Sequence, residues 1–229
     1  MRLLLLFAVL ALTAAPVLAQ DDPLAQRPDP LTPQGENLAV PPTWTVRLDR
    51  PDPDATIGAD AETADIFFVN MTPGWHITAG PAAIYYHPAS TAEGTYRAET
   101  LIHLFDPQGR NEAYGILIGG RDLDGDAIAY DYFLLRDSGE FLIKRRAGEE
   151  TSTLHAWTKH DAIETFAASD GTATNRLAVE VGAETVTFFV NDAEVARLPR
   201  AEVHTDGIVG LRINHALNVH VEDLRVTAM

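Results

Sequence analysis

From Trp44 to Met229 the chain is a succession of short apolar segments, most of which alternate apolar and polar residues with a period of two. Gly, Pro, Asn and Asp separate these segments, and no stretch shows the 3.6-residue periodicity of an amphipathic helix. About a dozen short strands separated by turn residues are typical of an antiparallel sandwich or barrel and not of an α/β fold. The sequence therefore predicts an all-β fold, an antiparallel two-sheet sandwich, formed by one domain over residues 43–229.

The predicted strands are identified by their alternation and by the turn residues at their ends. They cover residues 44–48, 66–70, 75–79, 82–86, 94–105, 113–119, 128–136, 140–146, 176–181, 185–190, 193–198, 207–214 and 217–226. The closing pair, 207–214 and 217–226, has the most regular alternation. No strand is predicted between residues 146 and 176.

One hairpin can be predicted at the level of individual side chains. Residues 137–139, Asp-Ser-Gly, suit a three-residue loop that ends with Gly139 in the left-handed conformation. This loop pairs Arg136 with Glu140 and Tyr130 with Arg146. Two faces result, a core face with Phe133, Leu135, Phe141 and Ile143, and an outer face with Tyr130, Tyr132, Arg136, Glu140, Lys144 and Arg146. A two-residue loop would place charges on both faces, so we discard it.

The N-terminus predicts export. Arg2 precedes an apolar run from Leu3 to Leu12, and small residues lead to Ala19, which is typical of a secretory signal peptide over residues 1–19. The run is shorter than the ~18 apolar residues that a spanning helix needs, so we expect no membrane span after signal cleavage. Residues 20–42 contain six prolines and are interpreted as a linker. The expected location is the periplasm or the extracellular medium.

Charge and cysteine content exclude several classes of function. The chain has 33 acidic and 17 basic side chains, and this excess of negative charge disfavours binding to nucleic acid and to other anionic partners. The absence of cysteine excludes disulfides, thiolate metal sites and cysteine nucleophiles. Neutral carbohydrate and cations remain as partners, and the oligomeric state is not indicated.

Four segments near the C-terminus carry a resemblance to a known family. They are 175–181 (NRLAVEV), 186–191 (VTFFVN), 206–212 (DGIVGLR) and 219–226 (VHVEDLRV). In this order they resemble the closing half of a concanavalin A-like lectin/glucanase jelly roll, as found also in laminin G-like modules and 3-keto-disaccharide hydrolase domains. The resemblance implies two curved antiparallel sheets, one of which often carries a glycan site. The E-x-D-x-x-E run of laminarinase-like members is absent, so the resemblance implies the fold and not an enzymatic activity.

Polar side chains on the predicted strands indicate a face that could bind a ligand. The candidates are Arg97, Tyr130, Tyr132, Lys144, Arg146, Asn214 and His220. We expect the strand with Arg97 and Glu99 to be a neighbour of the Tyr130 hairpin. Sugars bind to such a mixture because their CH groups stack on aromatic rings while their hydroxyls bond to fixed polar groups. A solvated sheet surface is the simpler alternative.

Catalytic residues are harder to identify. Glycoside hydrolysis needs two carboxyl groups about 5 to 9.5 Å apart. The candidates are Glu99, Glu222 and Asp223, assisted by Arg97 and His220, but no two of the carboxyl groups lie on one face of a single clear strand. The serines lie in predicted turns without a G-x-S-x-G elbow, so the sequence does not indicate acyl transfer.

The sequence predicts no cofactor, with one alternative. Asp122, Asp124 and Asp126 supply the oxygen ligands that calcium prefers. The run lacks the remaining features of an EF-hand, and an acidic turn is the simpler interpretation. The eight histidines include no H-E-x-x-H pair, so no zinc site is predicted.

Taken together, these patterns favour an exported, non-catalytic carbohydrate-binding or surface-interaction module with a lectin-like fold. A glycoside hydrolase acting on a disaccharide or polysaccharide, and a structural domain with no small-molecule ligand, are the alternatives. A groove with convergent polar groups near Tyr130, Lys144 and His220 would favour the first two over the third.

Overall fold

The structure is a computed structural model that describes residues 38–169 and 171–229. The predicted signal peptide, 1–19, and nearly all of the predicted linker, 20–42, therefore lie outside the described residues. Within the described residues, no helix has the length and apolar character needed to cross a membrane.

Seven strands form the first sheet, and all neighbouring strands in it are antiparallel. In spatial order they are β1 (Thr45–Leu48), β5 (Ala83–Ala92), β14 (Gly207–Ile213), β7 (Ala113–Arg121), β8 (Ala129–Arg136), β9 (Glu140–Ala147) and β10 (Glu150–Lys159). Strands β1 and β10 are its edges.

Eight strands form the second sheet. In spatial order they are β13 (Ala193–Pro199), β12 (Thr185–Val190), β11 (Ala173–Val181), β6 (Tyr96–Leu104), β15 (Leu217–Ala228), β4 (Trp75–Ala79), β3 (Ile66–Asn70) and β2 (Ile57–Gly58). The short pair β2–β3 is parallel and the other pairs are antiparallel. The helical elements of the described residues are two single turns of 3-10 helix, Phe166–Ala168 and Arg200–Glu202.

The core lies between the two sheets, as the alternation predicts. Along β6 each buried residue is followed by a partly exposed one, so one side of the strand faces the other sheet. Aromatic rings cross the interface, since Phe133 of β8 packs edge-on against Phe188 of β12 at 5.3 Å and Phe68 of β3 against Tyr85 of β5 at 5.2 Å. The prediction of an antiparallel two-sheet sandwich is confirmed.

The predicted register of the β8–β9 hairpin is also confirmed. Arg136 pairs with Glu140 and Tyr130 pairs with Arg146. Gly139 has φ 76°, and its N–H donates to the carbonyl of Arg136, which closes the loop as expected. Phe133 and Leu135 belong to the core between the sheets, whereas Tyr130 and Tyr132 belong to a separate buried cluster on the opposite face.

Strand β10 was not predicted, and its position explains why. It is an edge strand of ten residues, all of them exposed or half-buried, so its sequence has little apolar content to signal a strand. Two register shifts against β9, on either side of His155, also break the period-two pattern. Backbone pairing with β9, which no sequence pattern reports, holds it in the sheet.

Candidate ligand-binding groove

The outer face of the seven-stranded sheet carries a second set of buried apolar side chains. They are Ile84, Tyr86, Ala113, Leu117, Leu123, Ile128, Tyr130, Tyr132 and Leu134. Tyr130 is fully buried and Tyr132 is 5% exposed, with their ring centroids 5.5 Å apart. Both tyrosines are on the predicted face. The expectation that their rings are open platforms for a sugar is wrong, because neighbouring side chains on this face cover them.

A buried ion pair lies on the same face. Arg212 of β14 is 8% exposed, and it donates two hydrogen bonds to the carboxylate of Asp49, the first residue after β1, with 2.7 Å from Nη1 to Oδ1. The same Nη1 donates to the Tyr130 hydroxyl at 3.1 Å, and the guanidinium lies 5.0 Å from the centre of the Tyr132 ring. The tyrosines predicted to bind ligand thus surround a buried arginine.

Arg146 joins this cluster from β9. Its Nη1 donates to Asp49 Oδ1 at 3.3 Å and its Nε donates to the carbonyl of Gly148 at 3.0 Å. One carboxylate therefore serves two guanidinium groups, Arg146 and Arg212. The side chain of Arg146 is 16% exposed, so part of it faces solvent.

The charges of this cluster are fixed at neutral pH. Burial by itself would raise the pKa of Asp49, but the hydrogen bond and charge of Arg212, together with the charge of Arg146, bring that pKa below its ordinary value. Burial raises the pKa of Tyr132 to about 12, and burial also raises the pKa of Tyr130 although Arg212 lies close by. The carboxylate is ionised and both phenols are neutral.

A groove opens beside the cluster. It has a volume of about 520 Å³, and its walls include Arg47, Asp49, Arg50, Asp126, Arg146 and Thr151. Two further hollows adjoin the same 47–53 segment, one of about 510 Å³ that reaches Tyr86 and Pro53, and one of about 450 Å³ that reaches His215. Volumes of this size are in the range of small-molecule sites. We refer to the 520 Å³ hollow as the groove.

Arg47 fixes one wall of the groove. The alternation of β1 turns Arg47 outward while Val46 and Leu48 pack against the core. Its Nη1 donates to the carbonyls of Leu123 and Gly125, at 2.7 Å each, and so ties β1 to the loop that follows β7. Arg47 is not among the residues predicted to bind a ligand, although its outward position in a predicted strand was an available signal.

The acidic run 122–126 forms this loop. Asp122 accepts a hydrogen bond of 2.8 Å from the backbone N–H of Ala127 through Oδ2, and its own carbonyl accepts one from Gly125. Asp124 lines the 510 Å³ hollow and Asp126 lines the groove as well. Over residues 38–169 and 171–229, no three His, Asp or Glu side chains are grouped so that they could hold a metal ion. Asp122 thus stabilises the turn itself.

Two other predicted residues lie on this sheet without lining the groove. Lys144 is half-buried on β9, paired with Tyr132 across the hairpin. Asn214 follows β14, where its backbone N–H donates to the carbonyl of Ala113. Of the residues predicted on this face, Arg146 is the one that reaches the groove wall.

Comparison with known proteins adds structural evidence alone. No protein-family model matches the sequence, and no curated protein matches it. Among solved structures, the carbohydrate-binding module CBM66 from Bacillus subtilis superimposes with a TM-score of 0.57 and 12% identity, over 81% of this chain and 96% of that one. The GH16 protein of the Bacteroides ovatus mixed linkage glucan PUL, in complex with its product, superimposes with a TM-score of 0.54 and 10% identity, over 81% of this chain and 94% of that one. This chain has the concanavalin A-like jelly-roll fold.

The eight-stranded sheet of the jelly roll holds the other predicted residues. Arg97 lies on β6, which pairs with β11 and β15, so the expectation that it neighbours the Tyr130 hairpin is wrong. Its Nε donates to Glu99 at 2.8 Å and its Nη1 to Glu180 at 2.6 Å. The sandwich core separates these side chains from the groove. The alternation of apolar and polar residues predicted that these side chains point outward, but it did not predict which sheet they belong to.

The remaining catalytic candidates lie on the same outer face of the jelly roll. Glu222 Oε1 is 3.0 Å from His103 Nε2, and His103 Nδ1 is 2.9 Å from the hydroxyl of Thr174. Asp223 has φ 53° at a register shift in β15 and accepts a hydrogen bond from Arg225. Hydrogen-bond networks therefore engage both acids.

Three imidazoles stand side by side on this sheet. His220 of β15 pairs with His76 of β4 on one side and with His103 of β6 on the other, with ring centroids 6.2 and 5.8 Å apart. His220 Nε2 donates to the carbonyl of Pro73 at 2.7 Å. Burial is the main reason that the pKa of His76 is lowered to about 4. Burial is also the main reason that the pKa of His220 is lowered. Sequence spacing missed this row because its members meet across strands.

Proposed function

We propose that the protein is an exported, non-catalytic carbohydrate-binding module, and that its ligand lies in the groove beside segment 47–53. The concanavalin A-like fold supports this proposal, since a superimposable protein, CBM66, is named as a carbohydrate-binding module. That likeness concerns the backbone alone. The polar groups of the groove carry the argument about this chain.

The observation that carries the proposal is the sharing of Asp49 between Arg212 and Arg146 at the groove wall. Both side chains at the wall, Asp49 and Arg146, are held in place by hydrogen bonds before any ligand arrives. Such preorganised donors and acceptors bind hydroxyl groups without the entropy cost of ordering long side chains. Thr151 adds a hydroxyl, while Pro51 and Ile128 offer apolar surface to the CH groups of a sugar ring.

Binding to a panel of polysaccharides and oligosaccharides, followed by calorimetry, tests the proposal. For the glycan that binds, Arg146→Gln should weaken affinity by about tenfold, because a hydrogen bond to a charged group contributes about 1.5 kcal/mol or more. Lys159→Gln is the matched control, since it removes one cation from the far end of the neighbouring strand β10. Absence of binding to every glycan would favour the structural domain. An equal loss in both variants would place the ligand elsewhere.

Export is part of the proposal and rests on the predicted signal peptide at residues 1–19. Fractionation of the native host cells, with N-terminal sequencing of the mature protein, checks it. Recovery from the periplasm or medium with Gln20 as the first residue is expected. Recovery of the intact chain from the cytoplasm would contradict export and leave the groove proposal intact.

A glycoside hydrolase is the second candidate, favoured by one observation. Glu99 and Glu222 project from the neighbouring strands β6 and β15 on the same outer face. Each is bonded to a basic partner, Glu99 to Arg97 and Glu222 to His103, which favours a structural role. Release of reducing sugar from a polysaccharide panel, lost in Glu222→Gln, would support the enzyme over the binding module.

A further inference from the structure

Two cations at the groove have no acidic partner. Over the described residues, no carboxylate oxygen lies within 4 Å of the guanidinium nitrogens of Arg47 or Arg50. Arg47 is held by two neutral carbonyls, so its position is fixed while its charge is not neutralised by an ion pair. Arg50 is exposed at the groove rim.

The lining of the groove is balanced in charge, unlike the whole chain. Three guanidinium groups, Arg47, Arg50 and Arg146, and three carboxylates, Asp49, Asp126 and Glu149, line it. One of these carboxylates, Asp49, is already paired with Arg212, in a protein of net charge −16. At physiological ionic strength charges beyond about 8 Å are screened, so these near groups dominate the potential that a bound ligand meets.

From this arrangement we infer that the groove binds a sugar that carries a carboxylate, a uronic acid residue of an acidic polysaccharide. The inference rests on the proposed function and narrows its ligand class. A guanidinium presents paired N–H donors in one plane, which match the two oxygens of a carboxylate, and charge-assisted hydrogen bonds of this kind are about twice as strong as neutral ones. Thr151 and the exposed part of Arg146 remain for the ring hydroxyls. The negative charge of the chain argues against anionic partners in general, but at this site arginines offset the carboxylates.

The test compares two ligands that differ in the charge of their carboxyl groups and in the methyl groups that remove it. Calorimetry measures the affinity of the full mature chain for a trimer of galacturonate or mannuronate and for the same trimer with every carboxyl group methyl-esterified. The free acid should bind at least about tenfold more tightly than its ester, as expected for loss of a charged hydrogen bond. Its affinity should also fall as sodium chloride is raised.

Three variants locate the carboxylate. Arg50→Gln should leave the fold intact, because the exposed Arg50 side chain forms no ion pair within the described residues. It should lower affinity for the acid by about tenfold without changing affinity for the ester. Arg47→Gln should act in the same direction, with its melting temperature showing whether the 122–126 loop is retained. Lys159→Gln should change neither.

The outcomes separate the two proposals. If neutral glycans bind in an Arg146-dependent manner and the acid has no advantage over its ester, the uronate inference is overturned and the proposed function stands. If the acid binds but Arg50→Gln and Lys159→Gln weaken it equally, the attraction is non-specific and the inference is again overturned. If no glycan of either kind binds, both proposals fail.

Discussion

Arg145 donates hydrogen bonds of 2.8 Å from Nε and from Nη2 to the two carboxylate oxygens of Asp131. The Asp131 side chain is 1% exposed and accepts a third hydrogen bond, also 2.8 Å, from the backbone N–H of His204. Arg145 Nη2 further donates to the carbonyl of Glu202. This pair therefore joins the β8–β9 hairpin to the connection that leads into β14.

We expect Asp131→Ala to destabilise the fold by about 3–5 kcal/mol, because Arg145 would lose the partner of its partly buried charge. The double variant Asp131→Leu with Arg145→Met should recover much of this loss, since replacing both members of a buried pair by apolar residues is often nearly neutral. Urea denaturation of the two variants and the parent protein measures the difference. Equal stability of Asp131→Ala and the parent would contradict the role given to this pair.

Asp49→Asn should destabilise the protein by about 3 kcal/mol, because Arg212 is 8% exposed and would keep an unpaired charge. The pH dependence follows from the lowered pKa of Asp49. The stabilisation is fully present above the ordinary carboxyl pKa of 3.8 and is lost as the pH falls through the lower pKa of the folded state. Asp54→Asn, an exposed change on the same loop, is the control and should have little effect in the same urea titrations.

His76 should make stability fall in weak acid. Its pKa is about 4 in the folded protein against 6.5 for a free imidazole, because it is buried and lies next to His220, and the smaller effect of the Asn218 amide opposes this shift. The unfolded chain then binds the proton first, so stability declines as pH drops from 6.5 towards 4, by about 3 kcal/mol at most.

The variant His76→Phe tests this decline. A phenyl ring suits the aromatic neighbours Phe67 and Phe105 and cannot titrate. Its stability should change less between pH 7 and pH 4.5 than that of the parent. His220 has a lowered pKa of the same origin, so part of the parent's pH dependence should remain in His76→Phe.

Gly139→Ala should cost about 1 kcal/mol, because φ 76° is a left-handed conformation that residues with a Cβ adopt at a penalty. Space is not the obstacle, since an added Cβ would meet its nearest neighbour, Thr165 Cγ2, at 3.6 Å. Gly139→Asn should therefore cost less than alanine, because asparagine tolerates this conformation better. Thermal denaturation of the two variants gives the order, and a larger loss for asparagine would contradict the conformational explanation.

Sequence patterns predicted the features of the fold that depend on residues close together in the chain. The turn at 137–139 and the alternation on either side fixed the pairing of Tyr132 with Lys144, as the structure confirms. Strand β10 was missed because an edge strand exposed along most of its length does not need an apolar stripe. The outward orientation of Arg97 was predicted, but its assignment to the hairpin's sheet was wrong, because alternation carries no information about which strands become neighbours.

The sequence by itself determined the all-β class, the faces of most strands and the register of one hairpin, since these depend on period-two burial and on turn residues a few positions apart. The tertiary structure alone decided that Asp49 meets Arg212, 163 positions later, and that His76, His220 and His103 stand in a row. Both arrangements arise from strand order within the sheets. That order is set by the packing of the complete sandwich, and no short stretch of the chain encodes it.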